Sequence, residues 1–227
     1  MLGTWVNVGT IIVGSLLGLK LSHAFKASTQ NAIMNVLGLV VLIIGIEGAL
    51  KTENMMLVII SLVLGTLIGI AFKIEDKLDT LGNLLEKKMK SSDSNISAAF
   101  IQTTLIYCVG SMAIVGALES GRTGNHNTLY AKSMIDGISS IIFASTLGIG
   151  VIFSSISVFI YQGSMTLFSG LIAPLLSDSL ILEISAIGGV LIFAIGLNML
   201  EIKKISIANM LPSMLIPIIY YLMQALF

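Results

Sequence analysis

Runs of roughly 20 apolar residues recur along this chain, each long enough to cross a hydrocarbon core of about 30 Å as a helix. In lipid every backbone N–H and C=O must be satisfied within the protein, which leaves helices or a closed barrel. The runs do not alternate with period two, so helices are expected. The chain is 56% hydrophobic and 11% charged. A soluble domain carries about 25% charged residues. This chain cannot cover its surface with charge, so water is not its main solvent.

The fold class expected is therefore all-α, a polytopic transmembrane bundle of about eight spans. They cover Gly3–Leu19, Asn31–Leu50, Met55–Phe72, Ala98–Leu118, Ser133–Ser154, Val158–Leu176, Leu182–Leu200 and Ile205–Leu226. The fifth and sixth are separated by "SSISVFIYQG", which has no charge, so they read as two full crossings or as a re-entrant pair. No basic region precedes the first run, which is expected to be a retained helix rather than a leader.

Lysine and arginine in short connections set orientation. With the amino terminus outside, Lys20, Lys26, Lys73, Lys77, Lys87, Lys88, Lys90, Lys203 and Lys204 lie inside, against Lys51, Arg122 and Lys132 outside, a split of nine to three. Eight spans then put both termini outside. The connection over 73–97 is cytoplasmic in this scheme. Ile74, Leu78, Leu81, Leu85 and Met89 form one stripe of it, which suits either a helix at the headgroup boundary or a solvated continuation of the third span. The polar stretch over 119–132 becomes an outward-facing loop.

Two stretches align without gaps: "LGLVVLIIGIEGAL" (37–50) and "GGVLIFAIGLNMLE" (188–201). Gly38 falls on Gly189 and Gly45 on Gly196, and the flanking spans carry glycines in both places. Spans one to three thus resemble spans six to eight. An offset of five spans makes the repeat inverted, the arrangement of many secondary transporters. Gly14 with Gly18, and Gly65 with Gly69, are small-residue pairs suited to close helix approach. Pro174, Pro212 and Pro217 predict interrupted helices.

An ionisable group at a helix centre in lipid costs about 2.5–3.5 kcal/mol, so each asks for a reason. Glu47, in "GIEGAL", is either a cation or proton site or an interfacial residue paired with Lys51. Asp136 follows Lys132 by four residues, and with Glu119, Arg122 and His126 these form an outer polar cluster. The cluster reads as a gate where Arg122 and Lys132 attract an anion, or as a structured loop whose charges pair. Ser139, Ser140, Ser145 and Thr146, with Gln162 and Asn198 in later spans, can line a pathway or join helices. For any single one of them, helix bonding is the stronger prior. The lone cysteine, Cys108, allows no intrachain disulfide. No phosphate-binding glycine loop, no clustered Cys/His metal set and no nucleophile–base pair stands out. No enzyme activity, cofactor, metal or nucleic-acid partner is expected. The expected partners are the bilayer, a small solute or ion, and further copies of the chain.

The run "CVGSMAIVGALESGRTGNHNTLYAKSMIDGISSIIFASTLGIG" (108–150) resembles the signature of the bacterial YqgA/YdfK-type membrane proteins, domain-of-unknown-function family 554. "GTWVNVGTIIVGSLLG", "YQGSMTLFSG" and "GGVLIFAIGLNMLEIKKISIANMLPSMLI" extend the resemblance over essentially the whole chain. It implies a polytopic bacterial inner-membrane protein and assigns no residue a role. The function expected is a secondary transporter or permease for a small polar or anionic solute or ion. The alternative is a membrane scaffold or sensor coupling the outer polar loop to the cytoplasmic amphipathic segment.

Overall fold

A computed structural model describes residues 1–22, 27–80 and 96–226. Lys26, Lys87, Lys88 and Lys90, and the stripe positions Leu81, Leu85 and Met89, lie outside the described residues. The described residues are mostly helical: α1 Leu2–Ser22, α2 Ala27–Ala49, α3 Met55–Ala71, α4 Ile74–Thr80, α5 Ile96–Cys108, α6 Ser111–Arg122, α7 Asn127–Leu147 and α8 Gly150–Leu167. Short α9 Ser169–Ile172 precedes α10 Asp178–Met199. The last rod is α11 Ile207–Met210, a 3-10 turn Leu211–Leu215, and α12 Ile216–Leu226. Among the described residues, five helices are long and apolar enough to cross a membrane, or up to seven if each sharply bent pair counts as one.

Two compact units emerge, the first from Met1–Met34 with Leu81–Pro174, the second from Asn35–Thr80 with Leu175–Phe227. In the first, α1 and α7 run side by side in the same direction. A Cβ at Gly3 would strike Leu129, one at Gly14 the carbonyl of Gly137, and one at Gly18 the carbonyl of Ile141. The backbones therefore touch along this seam, as the spacing of Gly14 and Gly18 predicts. The bent rod α5–α6 runs with α8: Gly150 packs on Ile96 and Ala99, and Gly121 on Thr166 and Ser169. The 61° bend in that rod falls at Gly110, whose φ of 134° suits glycine. Helix α8 runs against α1, since Thr4 meets Thr166 and Asn7 meets Gln162.

In the second unit α2 and α10 cross antiparallel. Gly38 packs on Leu200 and Gly45 on Phe193, while Gly189 packs on Ala49 and Gly196 on Leu42. Helix α3 crosses the last rod in the same sense, with Gly65 against Ser213 and Gly69 against Asn209. Pro212 and Pro217 each remove an N–H, and the rod answers by tightening to 3-10 geometry at Leu211–Leu215. This is the interruption the prolines predict.

Outward faces are apolar throughout: Val13 is 57% exposed, Ile43 65% and Met134 68%. Such a surface fits hydrocarbon and not water. Trp5 rests on Phe159 with ring centroids 4.8 Å apart.

Two boundaries differ from expectation. The break between the fifth and sixth spans falls at Gly148–Ile149, not after Ser154. Gly148 ends α7 with φ 78°, and no charge marks the turn. The polar loop over 119–132 contracts to 123–126, because Glu119–Arg122 complete α6 and Asn127 already begins α7. Glu119 makes so short a link workable: its carboxylate accepts from Asn125 Nδ2 and Thr128 Oγ1, both at 2.7 Å.

Candidate functional site

Helix α7 carries Lys132 and Asp136 one turn apart, the spacing at which side chains of opposite charge meet on a helix face. Their face turns inward: Lys132 is 6% and Asp136 4% exposed. The Lys132 ammonium donates to Asp136 Oδ2 as a buried ion pair. A buried carboxylate needs further donors. Asn7 of α1, fully buried, supplies one, donating from Nδ2 to Asp136 Oδ2 at 3.0 Å and to Gln162 Oε1 of α8 at 2.9 Å. A more distant hydroxyl contact between Thr4 and Thr166 continues the network along the same helix pair.

Three helices thus converge on one neutral pair in the first unit. Ser140 braces it from the next turn, donating to the Asp136 carbonyl at 2.7 Å and bonding the buried Tyr107 hydroxyl at 2.8 Å. One acceptor stays unfilled: Asn7 Oδ1 is buried and accepts no hydrogen bond.

The other sequence-derived positions scatter. Glu47 pairs with Lys51 at 3.5 Å, the second of its two readings, and its side chain is 73% exposed on α2. Helix α2 points that face away from its packing seam of Gly38, Gly45 and Gly48. The outer cluster divides. Lys132 and Asp136 go inside, Glu119 braces the 123–126 link, and His126 Nδ1 bonds Ser120 at 2.8 Å. Arg122 is exposed and forms no ion pair among the described residues. Arg122 and Lys132 therefore do not share one ion-pair cluster among the described residues.

Ser139, Ser145 and Thr146 bond carbonyls of their own helix, the helix-internal role expected of hydroxyls in lipid. Gln162 joins the site. Asn198 belongs to the second unit and brackets Ile205 with two bonds of 2.8 Å, holding the turn after α10.

Two carboxylates in the second unit carry structure. Glu183 on α10, fully buried, accepts from Thr52 Oγ1 at 2.6 Å and from the N–H groups of Glu53 and Asn54 at 2.9 Å. It neutralises orphan donors at the start of α3, where the helix dipole favours negative charge. Glu75 ties α4 to α11 through side chains, accepting from Ser206 Oγ and from Asn209 Nδ2 at 3.0 Å. Glu183 sits in "LILEISAIGG", and the rule that flags Asp136, a carboxylate in an apolar run, flags it equally.

A groove of about 480 Å³ runs between α1 and α7, lined mainly by Val6, Val13, Leu17, Met134, Ile138 and Ile141. Its walls suit an acyl chain and offer no polar route. Long helices with apolar outer faces, enclosing a buried ion pair, define a polytopic helical membrane protein.

The family described as "Protein of unknown function (DUF554)" matches residues 2–222, and the chain belongs to it. The chain is 34% identical over 221 residues to the "Uncharacterized membrane protein YdfK" of Bacillus subtilis (strain 168), a match covering 96% of this chain and 94% of that one. It is 31% identical over 221 residues to the "Uncharacterized protein YqgA" of Escherichia coli (strain K12), covering 95% and 94%. No solved structure matches the chain.

Proposed function

We propose that this protein is a small secondary transporter of the bacterial inner membrane, with eight crossings, both termini outside, and a solute or ion path that uses the Lys132–Asp136 pair. The observation that carries the reading is that pair, held by Asn7 and Gln162 from two other helices. Ionisable groups inside a membrane bundle are costly and mark ion and substrate paths as a rule. A buried pair used only to bind helices often gains nothing over apolar packing of the same volume.

Eight crossings follow from adding α7 to the seven rods counted on composition. Its 21 residues span about 31 Å at 1.5 Å per residue, and its two charges face inward as a neutral pair. The inverted repeat is supported by reciprocity. Aligned positions lie 151 residues apart (38 with 189, 45 with 196), and the partners of Gly38 and Gly45, Leu200 and Phe193, correspond to Ala49 and Leu42, the partners of Gly189 and Gly196. Each half thus contacts the other as the other contacts it.

Reconstitution into liposomes with a panel of ions and small metabolites tests the reading. It expects a specific flux that Asp136→Asn abolishes while Glu47→Gln leaves it intact. A complete absence of flux and of ligand binding contradicts it.

A further inference from the structure

We infer that the Lys132 ammonium is a tethered occupant of a small-monovalent-cation site, and that a free cation exchanges with it on Asp136. The inference rests on the transporter reading for its use and on the geometry for its existence.

Asp136 is met directly by two nitrogens, Lys132 Nζ and Asn7 Nδ2, and oxygens stand behind them. The carboxylate, the amide oxygens of Asn7 and Gln162, and the hydroxyls of Thr4 and Thr166 lie on three packed helices. Carboxylate, carbonyl and hydroxyl oxygens are the donor set that hard cations choose. Asn7 Oδ1 is buried without a donor, while the same side chain's Nδ2 is used twice. The site is therefore short of positive or hydrogen-bearing partners, not of acceptors. This orphan atom is what separates a cation site from an anion site.

Charge sets the valence. One carboxylate balances one ammonium, and exchanging the ammonium for one monovalent ion keeps the buried cluster neutral. A divalent ion would need more carboxylate than the cluster holds. Lysine suits a displaceable occupant, because its charge rides on a flexible four-carbon stem. Among the described residues no group of three His, Cys, Asp or Glu offers a transition-metal alternative.

The test uses the full-length protein in detergent, melted at constant ionic strength in sodium, potassium, methylammonium or choline chloride. Lys132→Ala removes the tethered occupant and leaves the acceptors. Its melting midpoint is expected to rise saturably with at least one of the three small cations and not with bulky choline, as mass action requires. Wild type is expected to need about tenfold more of that cation for the same rise, because its lysine competes. Lys132→Ala/Asp136→Asn is expected to show no rise.

A Lys132→Ala protein indifferent to all three cations, or a double variant that responds equally, overturns the inference. If Lys132→Ala does not fold, the wild type decides: carbodiimide labelling of Asp136, read by mass spectrometry, should slow in the small cations relative to choline. Equal labelling in all four salts overturns the inference as well. Binding without flux would keep this site and remove the transporter reading. Flux indifferent to all three cations, with no binding, would do the reverse.

Discussion

Glu183 shows how a single side chain holds a turn in this protein. Its carboxylate takes three donors from the turn that leads into α3, the Thr52 hydroxyl and the N–H groups of Glu53 and Asn54. Glu183→Gln keeps the shape but loses the charge and one acceptor, and is expected to destabilise the second unit by about 1–3 kcal/mol. Hydrogen exchange should speed at Glu53 and Asn54 and stay unchanged at Asn7. Exchange unaltered at Glu53 and Asn54 would contradict the assignment. Asn7→Ala strips Asp136 of its amide donor while leaving Lys132, and is expected to cost a similar amount in the first unit, read as a lower melting midpoint. At this scale the sequence was legible where charge stood inside an apolar run. That rule reached Lys132 and Asp136, and it did not separate them from the exposed Glu47, because an apolar run does not say which helix face packs. Asn7 and Thr4 carry no such mark. An amide or hydroxyl in a span is common, and only the fold brings these two beside Gln162.

Packing between helices is decided by where a Cβ fits. A Cβ at Gly14 would collide with the carbonyl of Gly137, so Gly14→Ala must push α1 off α7. Overpacking of this kind costs about 1–3 kcal/mol. Gly9, on the same helix, has nothing within 4 Å of the place a Cβ would take. Gly9→Ala is expected to be neutral, or stabilising by up to about 1 kcal/mol through helix propensity. Thermal melting of the two variants side by side checks the contrast, and equal effects would contradict the seam. The glycine spacing announced this seam because close approach leaves a local signature. The turn at Gly148 left none that stands apart: a glycine inside an apolar run reads equally as a packing glycine or a break, and only its φ of 78° separates the two. The loop over 119–132 looked long because its polar residues stand apart from the apolar runs, whereas Glu119–Arg122 complete α6 and Asn127 begins α7.

Across the whole chain, lysine placement and the reciprocal glycine contacts between α2 and α10 support one scheme of eight crossings. Engineered thiols at Lys88 and Asn125 should react from opposite sides of the membrane, with the native Cys108 silent because it is buried. Labelling of both from one side would remove the orientation and the inversion with it. Composition alone was enough to place the chain in lipid, since 11% charge cannot clothe a water-facing surface. It could not say whether the buried pair works or merely binds helices. Breaking a buried pair by removing one partner costs about 3–5 kcal/mol, while replacing both with apolar groups is often neutral. The most direct measurement is therefore stability and liposome flux on the same preparations of wild type, Asp136→Asn and Lys132→Met/Asp136→Leu. The account predicts that the double variant regains wild-type melting and carries no flux; flux that returns together with stability would show the pair to be helix glue and contradict it.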